Sequence, residues 1–132
     1  MELYGFMLAN YAETNRGLLY VQGGGWEFAT VSEIPAVLNT FLAGHIVTEP
    51  DSALEPVALN IALEAPGGDV TQIASAMVSL HRNYPVDGEL KMEPVQVHLP
   101  LPIGGGGRHA VLLSAEGTSS RIPLFIRMPP DT

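Results

Sequence analysis

The residues of this chain that could do chemistry are four histidines, fourteen carboxylates and several glycine runs, set in 132 residues without cysteine. The histidines are His45, His81, His98 and His109. A metal site wants two or three ligands converging, as His-x-His places on one strand face, and no pair here has that spacing. The carboxylates fall in Pro- and Gly-punctuated stretches: Glu49, Asp51 and Glu55, then Asp69, then Asp87, Glu89 and Glu93. Calcium loops collect oxygen ligands at close intervals, but the Asp-x-Asp spacing is missing, so these groups read as solvated loop residues. A metal-dependent or hydrolytic enzyme is an alternative only if at least three dispersed His, Asp or Glu residues converge within bonding reach.

The glycine runs do not read as phosphate loops. A Walker loop needs Lys-Ser/Thr after its second glycine, between a strand and a helix. Gly104 to Gly107 is followed by Arg108-His109, and Gly23 to Gly25 lacks dinucleotide spacing. Ser119-Ser120 lies at an expected hairpin tip and is not a Gly-x-Ser-x-Gly elbow. No cysteine means no thiolate nucleophile, disulfide or zinc-thiolate site. The expectation is a non-enzymatic protein with no cofactor and no metal.

Charge narrows the partners. Fourteen acidic residues against six basic ones give a formal net charge of −8. A duplex nucleic-acid binder needs a basic patch, whereas Arg16, Arg82, Lys91, Arg108, Arg121 and Arg127 are scattered. Nucleic acid and anionic membrane are therefore set aside, and the acidity reads as solubility and self-repulsion. The apolar stretch from Leu3 to Ala12 has no basic residue before it and is far short of the roughly 20 residues that span a bilayer. Missing cysteine fits a reducing compartment, so the expectation is cytoplasmic.

The elements that must position these residues are strands. Val57-Ala58-Leu59-Asn60-Ile61-Ala62-Leu63-Glu64 alternates with a period of two, which puts Val, Leu, Ile and Leu on one face. Further strands are expected at Leu3 to Tyr11, Leu18 to Gln22, Val37 to Thr48, Val70 to His81, Val95 to Leu99, His109 to Ala115 and Ile122 to Arg127. Val70 to His81 also carries helical spacing at Ile73, Met77 and Leu80. The Pro66-Gly67-Gly68-Asp69 turn before it favours a hairpin partner. Arg82 to Glu93 and the Pro100 to Gly107 stretch read as loops. About eight short strands with turn signals every ten residues or so predict one all-β domain over residues 1–132. The expected form is a two-sheet antiparallel β-sandwich, immunoglobulin-like in general shape.

Leu99-Pro100-Leu101-Pro102, His109-x-Val111-x-Leu113-x-x-Glu116-Gly117 and Pro123-Leu124-x-Ile126 resemble the last hairpin of immunoglobulin-like and fibronectin-like domains. There a Tyr near the start of the penultimate strand bonds back to the main chain; the resemblance puts His109 in that role. Over nearly its whole length the chain also resembles an uncharacterised family of short bacterial all-β proteins. That resemblance rests on the order of Ala9-x-x-Ala12, Gly17-x-Leu19, Gly23-Gly24-Gly25-Trp26, Pro35, Pro56-Val57-x-Leu59, Pro66-Gly67-Gly68 and Pro94-Val95, and it implies a fold and no activity.

The surface carries the functional expectation. Tyr4 and Phe6 share one parity, while Met7, Ala9 and Tyr11 share the other. Both faces of the first strand thus hold large apolar groups, and such a strand is either central or covered by another subunit. Tyr4, Phe6, Tyr11, Tyr20 and Trp26 form the candidate interface. The expected partner is protein, either a second copy in a homo-oligomer or a larger assembly. The alternative from another class is a small-molecule or carbohydrate binder using Trp26 or Tyr84 as a stacking platform beside a polar cleft.

Overall fold

The computed structural model describes residues 1–49, 55–80 and 91–128. Among them are nine strands and no helix: β1 Glu2–Asn15, β2 Leu18–Gly24, β3 Phe28–Thr30, β4 Ala36–Thr48, β5 Val57–Glu64, β6 Val70–Val78, β7 Lys91–Ile103, β8 Gly107–Ala115 and β9 Thr118–Arg127. They form a four-stranded sheet ordered β2-β1-β4-β7 and a five-stranded sheet ordered β3-β9-β8-β5-β6. The inner faces share one hydrophobic cluster, with Leu8, Leu42, Ile46 and Leu99 from the first sheet and Leu59, Ile61, Val111 and Leu124 from the second. Val57, Leu59, Ile61 and Leu63 are all buried, as the period of two predicts.

Local chemistry explains the hairpins. The β1–β2 and β8–β9 links are two-residue turns, Arg16-Gly17 and Glu116-Gly117, with both residues at positive φ. That geometry matches the right-handed twist of the flanking strands. The β5–β6 turn closes through the Ala65 amide donating to Asp69 O at 2.8 Å and the Gly68 amide donating to Ala65 O at 2.9 Å. Val70–Val78 is a strand, so the turn outweighs the helical spacing.

Four expectations need correction. The second sheet is mixed, because β3 runs parallel to β9 through Phe28–Phe125, Ala29–Ile126 and Thr30–Arg127. Ser119 and Ser120 lie within β9 and not at a hairpin tip. The expected short strand at Val95 to Leu99 is a thirteen-residue strand, β7, that runs through Pro94, Pro100 and Pro102. These prolines sit opposite His45, Asn39 and Val37 of β4, all at positions of one parity. Proline has no N–H to give β4, so these are the positions whose backbone groups face the free edge. An edge strand tolerates them there, and they remove donors that a foreign strand would use.

The fourth correction concerns β1. Its pairing with β4 slips between Tyr4 and Met7, where Gly5 takes φ +65°. One extra residue reverses the alternation. Tyr4 therefore points outward with Met7, Ala9 and Tyr11, while Phe6 turns inward with Leu8. Tyr4 and Phe6 lie on opposite faces despite sharing parity.

Candidate functional site

The outward face of the four-stranded sheet is the most distinctive surface. The register places Tyr20 and Gln22 of β2, Tyr4, Met7, Ala9 and Tyr11 of β1, Val37, Phe41 and His45 of β4, and Gln96, His98 and Pro100 of β7 on it. Across the strands, the Tyr11 and Phe41 rings meet edge to face with centroids 5.1 Å apart. Phe41 and His98 follow at 5.0 Å, tilted by 36°. Aromatic cross-strand contacts of this kind each contribute about 0.2–1 kcal/mol to a sheet. Tyr4, Tyr11 and Tyr20 are all about half exposed, at 55%, 44% and 49%. Ala9 and Ala43 point outward yet are fully covered, because their large neighbours close over them.

Charge is nearly missing from this face. Among the described residues the only ionised side chains at its outward positions are Glu2 and Glu13. The Tyr11 hydroxyl donates to Glu13 Oε2 at 3.3 Å. Repulsion by the Glu13 carboxylate, aided by partial desolvation and that hydrogen bond, raises the Tyr11 phenol above its ordinary value.

The five candidate interface residues do not form one patch. Tyr4, Tyr11 and Tyr20 share the outward face. Phe6 packs inward, its ring filling the space beside Gly44, where an added Cβ would come within 2.5 Å of Phe6 Cγ. Trp26 is half-buried against the core at the seam between the sheets. Its Nε1–H is shared between Asn10 Oδ1 and Gly23 O, each 2.9 Å away. It borders a shallow, mostly apolar hollow of about 390 Å³ with Phe6, Ile122 and Pro123. That is not the polar cleft a sugar-stacking tryptophan would need, and Tyr84 lies outside the described residues. Sequence reasoning missed Phe41, the ring partner of Tyr11, and His98, the ring partner of Phe41. Phe41 and His45 share parity in β4, but only the register brings His98 beside them.

The other histidines and acids are dispersed. His45 and His98 lie on the sheet face. His109 lies near the start of β8 and is 5% exposed. Its Nδ1 donates to Gly107 O at 3.0 Å, two residues back along the same strand. Among the described residues no three of His, Asp and Glu gather as a metal-ligand group. His81, Asp51, Asp87 and Glu89 lie outside them. No described helix is long and apolar enough to cross a membrane.

A second concavity lies at one end of the molecule, where β4, β5, β6, β7 and β8 begin or end. It is an open groove of about 840 Å³, floored by Leu63, Ile103 and His109, with Asp69 and Thr71 on one wall. No sequence motif marks it, because its residues come from five strand ends.

No protein-family model, curated protein or solved structure matches this chain. The functional reading rests on the geometry above.

Proposed function

We propose that this chain is a non-enzymatic contact module that associates with a second copy of itself through the outward face of the β2-β1-β4-β7 sheet. One observation carries the reading: an aromatic, almost charge-free face spans four strands of a chain whose net charge is −8. Interface cores are depleted of charge and enriched in aromatic residues. Two molecules that each carry −8 repel one another, so they approach best through the surface with fewest charges.

Geometry supports face-to-face docking over edge pairing. Prolines blunt the β7 edge, whereas the face is broad. Three strands of thirteen or fourteen residues and one of seven, at about 3.4 Å per residue and about 4.8 Å apart, give a face on the order of 600 Å². A standard interface takes roughly 800 Å² from each partner.

The same reading takes the fold as an immunoglobulin-like sandwich. In support, the β4–β7 pairing and the β9-β8-β5-β6 order correspond to the B–E and G–F–C–C′ pairings of variable-type domains. The outer strand β2 is an addition to that plan.

Sedimentation velocity from 5 to 500 µM tests the function. The expected result is a concentration-dependent rise from monomer to dimer that Phe41→Glu removes. A wild-type monomer at every concentration overturns it.

A further inference from the structure

We infer that the groove at the β5–β6/β7–β8 end binds a small neutral ligand with an apolar body and one hydroxyl, which donates a hydrogen bond to His109 Nε2. The groove meets the association face only at its rim, at Val37 and Pro102, and His109 lies in the other sheet. The groove holds about 840 Å³, within the range of small-molecule sites. Leu63 and Ile103, both buried, give its floor an apolar character.

His109 supplies the directional group. With Nδ1–H committed to Gly107 O, the neutral ring carries its lone pair on Nε2. Nε2 has no protein partner among the described residues; it is not sealed in the core but opens onto the groove that His109 lines. A ligand that covers this acceptor must bring a donor, because covering it without one leaves it unpaired, which is unfavourable. A hydroxyl matches this need, whereas a plain hydrocarbon leaves the nitrogen unpaired.

Charge selects against anions. Asp69 stands on the groove wall, and the whole chain is acidic. A carboxylate ligand meets repulsion there, but a phenol or alcohol does not.

Three probes separate these terms: 4-ethylphenol, ethylbenzene and 4-ethylbenzoate, titrated against ¹⁵N-labelled protein and followed by amide and imidazole shifts. The expected result is 4-ethylphenol binding in the millimolar range, with shifts confined to Leu63, Thr71, Ile103 and His109. Ethylbenzene binds about fivefold more weakly, the effect of one lost neutral hydrogen bond, and 4-ethylbenzoate more weakly still. His109→Phe makes the phenol and the hydrocarbon equal. Should that variant fail to fold, Thr71→Trp, at an exposed strand position on the groove wall, fills the space and abolishes all three shifts. Asp69→Asn narrows the gap between benzoate and phenol. Equal binding of phenol and hydrocarbon by the wild type overturns the inference. So do shifts scattered outside the groove, or none by 20 mM.

Discussion

The outward faces of the two sheets are built on opposite principles. On the β2-β1-β4-β7 sheet, tyrosines, Phe41 and His98 lie side by side with only Glu2 and Glu13 for charge. On the β3-β9-β8-β5-β6 sheet, the outward register holds Glu64, Arg108, Arg121 and Arg127. There Arg121 pairs with Glu64 at 2.8 Å, and Ser75 donates to Asn60 at 3.0 Å. Exposed aromatics occur on both: Phe28 and Phe125 are half exposed on the second sheet. The Arg127 guanidinium, however, stands 4.1 Å from the Phe28 ring centre. Such a cation shields the ring and keeps water beside it. The difference teaches that exposed aromatic area alone does not define a contact surface; the removal of charge around it does.

The largest expected effect breaks this comparison directly. Phe41→Glu puts a carboxylate at the centre of the first face and removes both ring contacts. It should weaken self-association at least about 100-fold, equivalent to about 2.8 kcal/mol. Leu112→Glu, at an outward position on the second sheet, should leave the sedimentation profile unchanged. Equal loss from both variants means the two faces are not functionally different.

The next effect is on folding and separates the two faces of the first sheet, at Gly44 of β4 and Gln96 of β7. Gly44 faces inward under Phe6, and an added Cβ would meet three ring carbons at 2.5–2.8 Å. Gly44→Ala therefore overpacks the core and should cost about 1–3 kcal/mol. Gln96→Ala, on the exposed outward side, should stay within about 0.5 kcal/mol. Urea unfolding of both variants checks the contrast, and equal midpoints refute it.

Much of this architecture was legible where the signal is local. The alternation from Val57 to Glu64 depends only on neighbouring residues, and so do the Gly-bearing turns. What was hidden depends on distant pairing. The ends of β7, outside Val95 to Leu99, looked like loop because Pro94, Pro100 and Pro102 break the ordinary strand pattern; their placement on a free edge shows only once β4 is beside them. β3 is three residues long and exists through its parallel pairing with β9. The bulge at Gly5 reversed the facing of Tyr4 and Phe6, so parity counting joined residues that the fold separates. The candidate site fared likewise. Its tyrosines were visible as a set, but the Tyr11–Phe41–His98 row and the His109 groove are products of register and of strand ends meeting.

Each face also carries one coupled ionisable pair, and the two respond to pH in opposite directions. The hydrogen bond from Arg121, with its charge, holds the Glu64 carboxyl below its ordinary range. A carboxyl depressed on folding adds stability above its unfolded value, about 4.3. That contribution is lost as pH falls through the folded value. Carboxyl-carbon NMR should show Glu64 titrating low, and Arg121→Gln should bring it back up. An unmoved titration shows that the pair does not persist in solution.

The smallest effect gives the sharpest test of the comparison, because it reads the first face without altering it. The Tyr11 phenol is held high by Glu13. The folded state therefore holds this proton to higher pH than the unfolded chain, whose phenols titrate at about 10. Stability from this group is present below that pH and fades as pH rises through the folded value. Glu13→Gln should lower the Tyr11 midpoint, read as the tyrosinate absorbance difference between each protein and its Tyr11→Phe counterpart. Association adds a second term: covering the face strips water from the phenol, which raises its pKa further because the charged form is disfavoured. The midpoint should then climb with protein concentration over the range in which dimer forms. A midpoint that responds to Glu13→Gln but not to concentration would mean that the carboxylate acts as described while the face stays open to solvent.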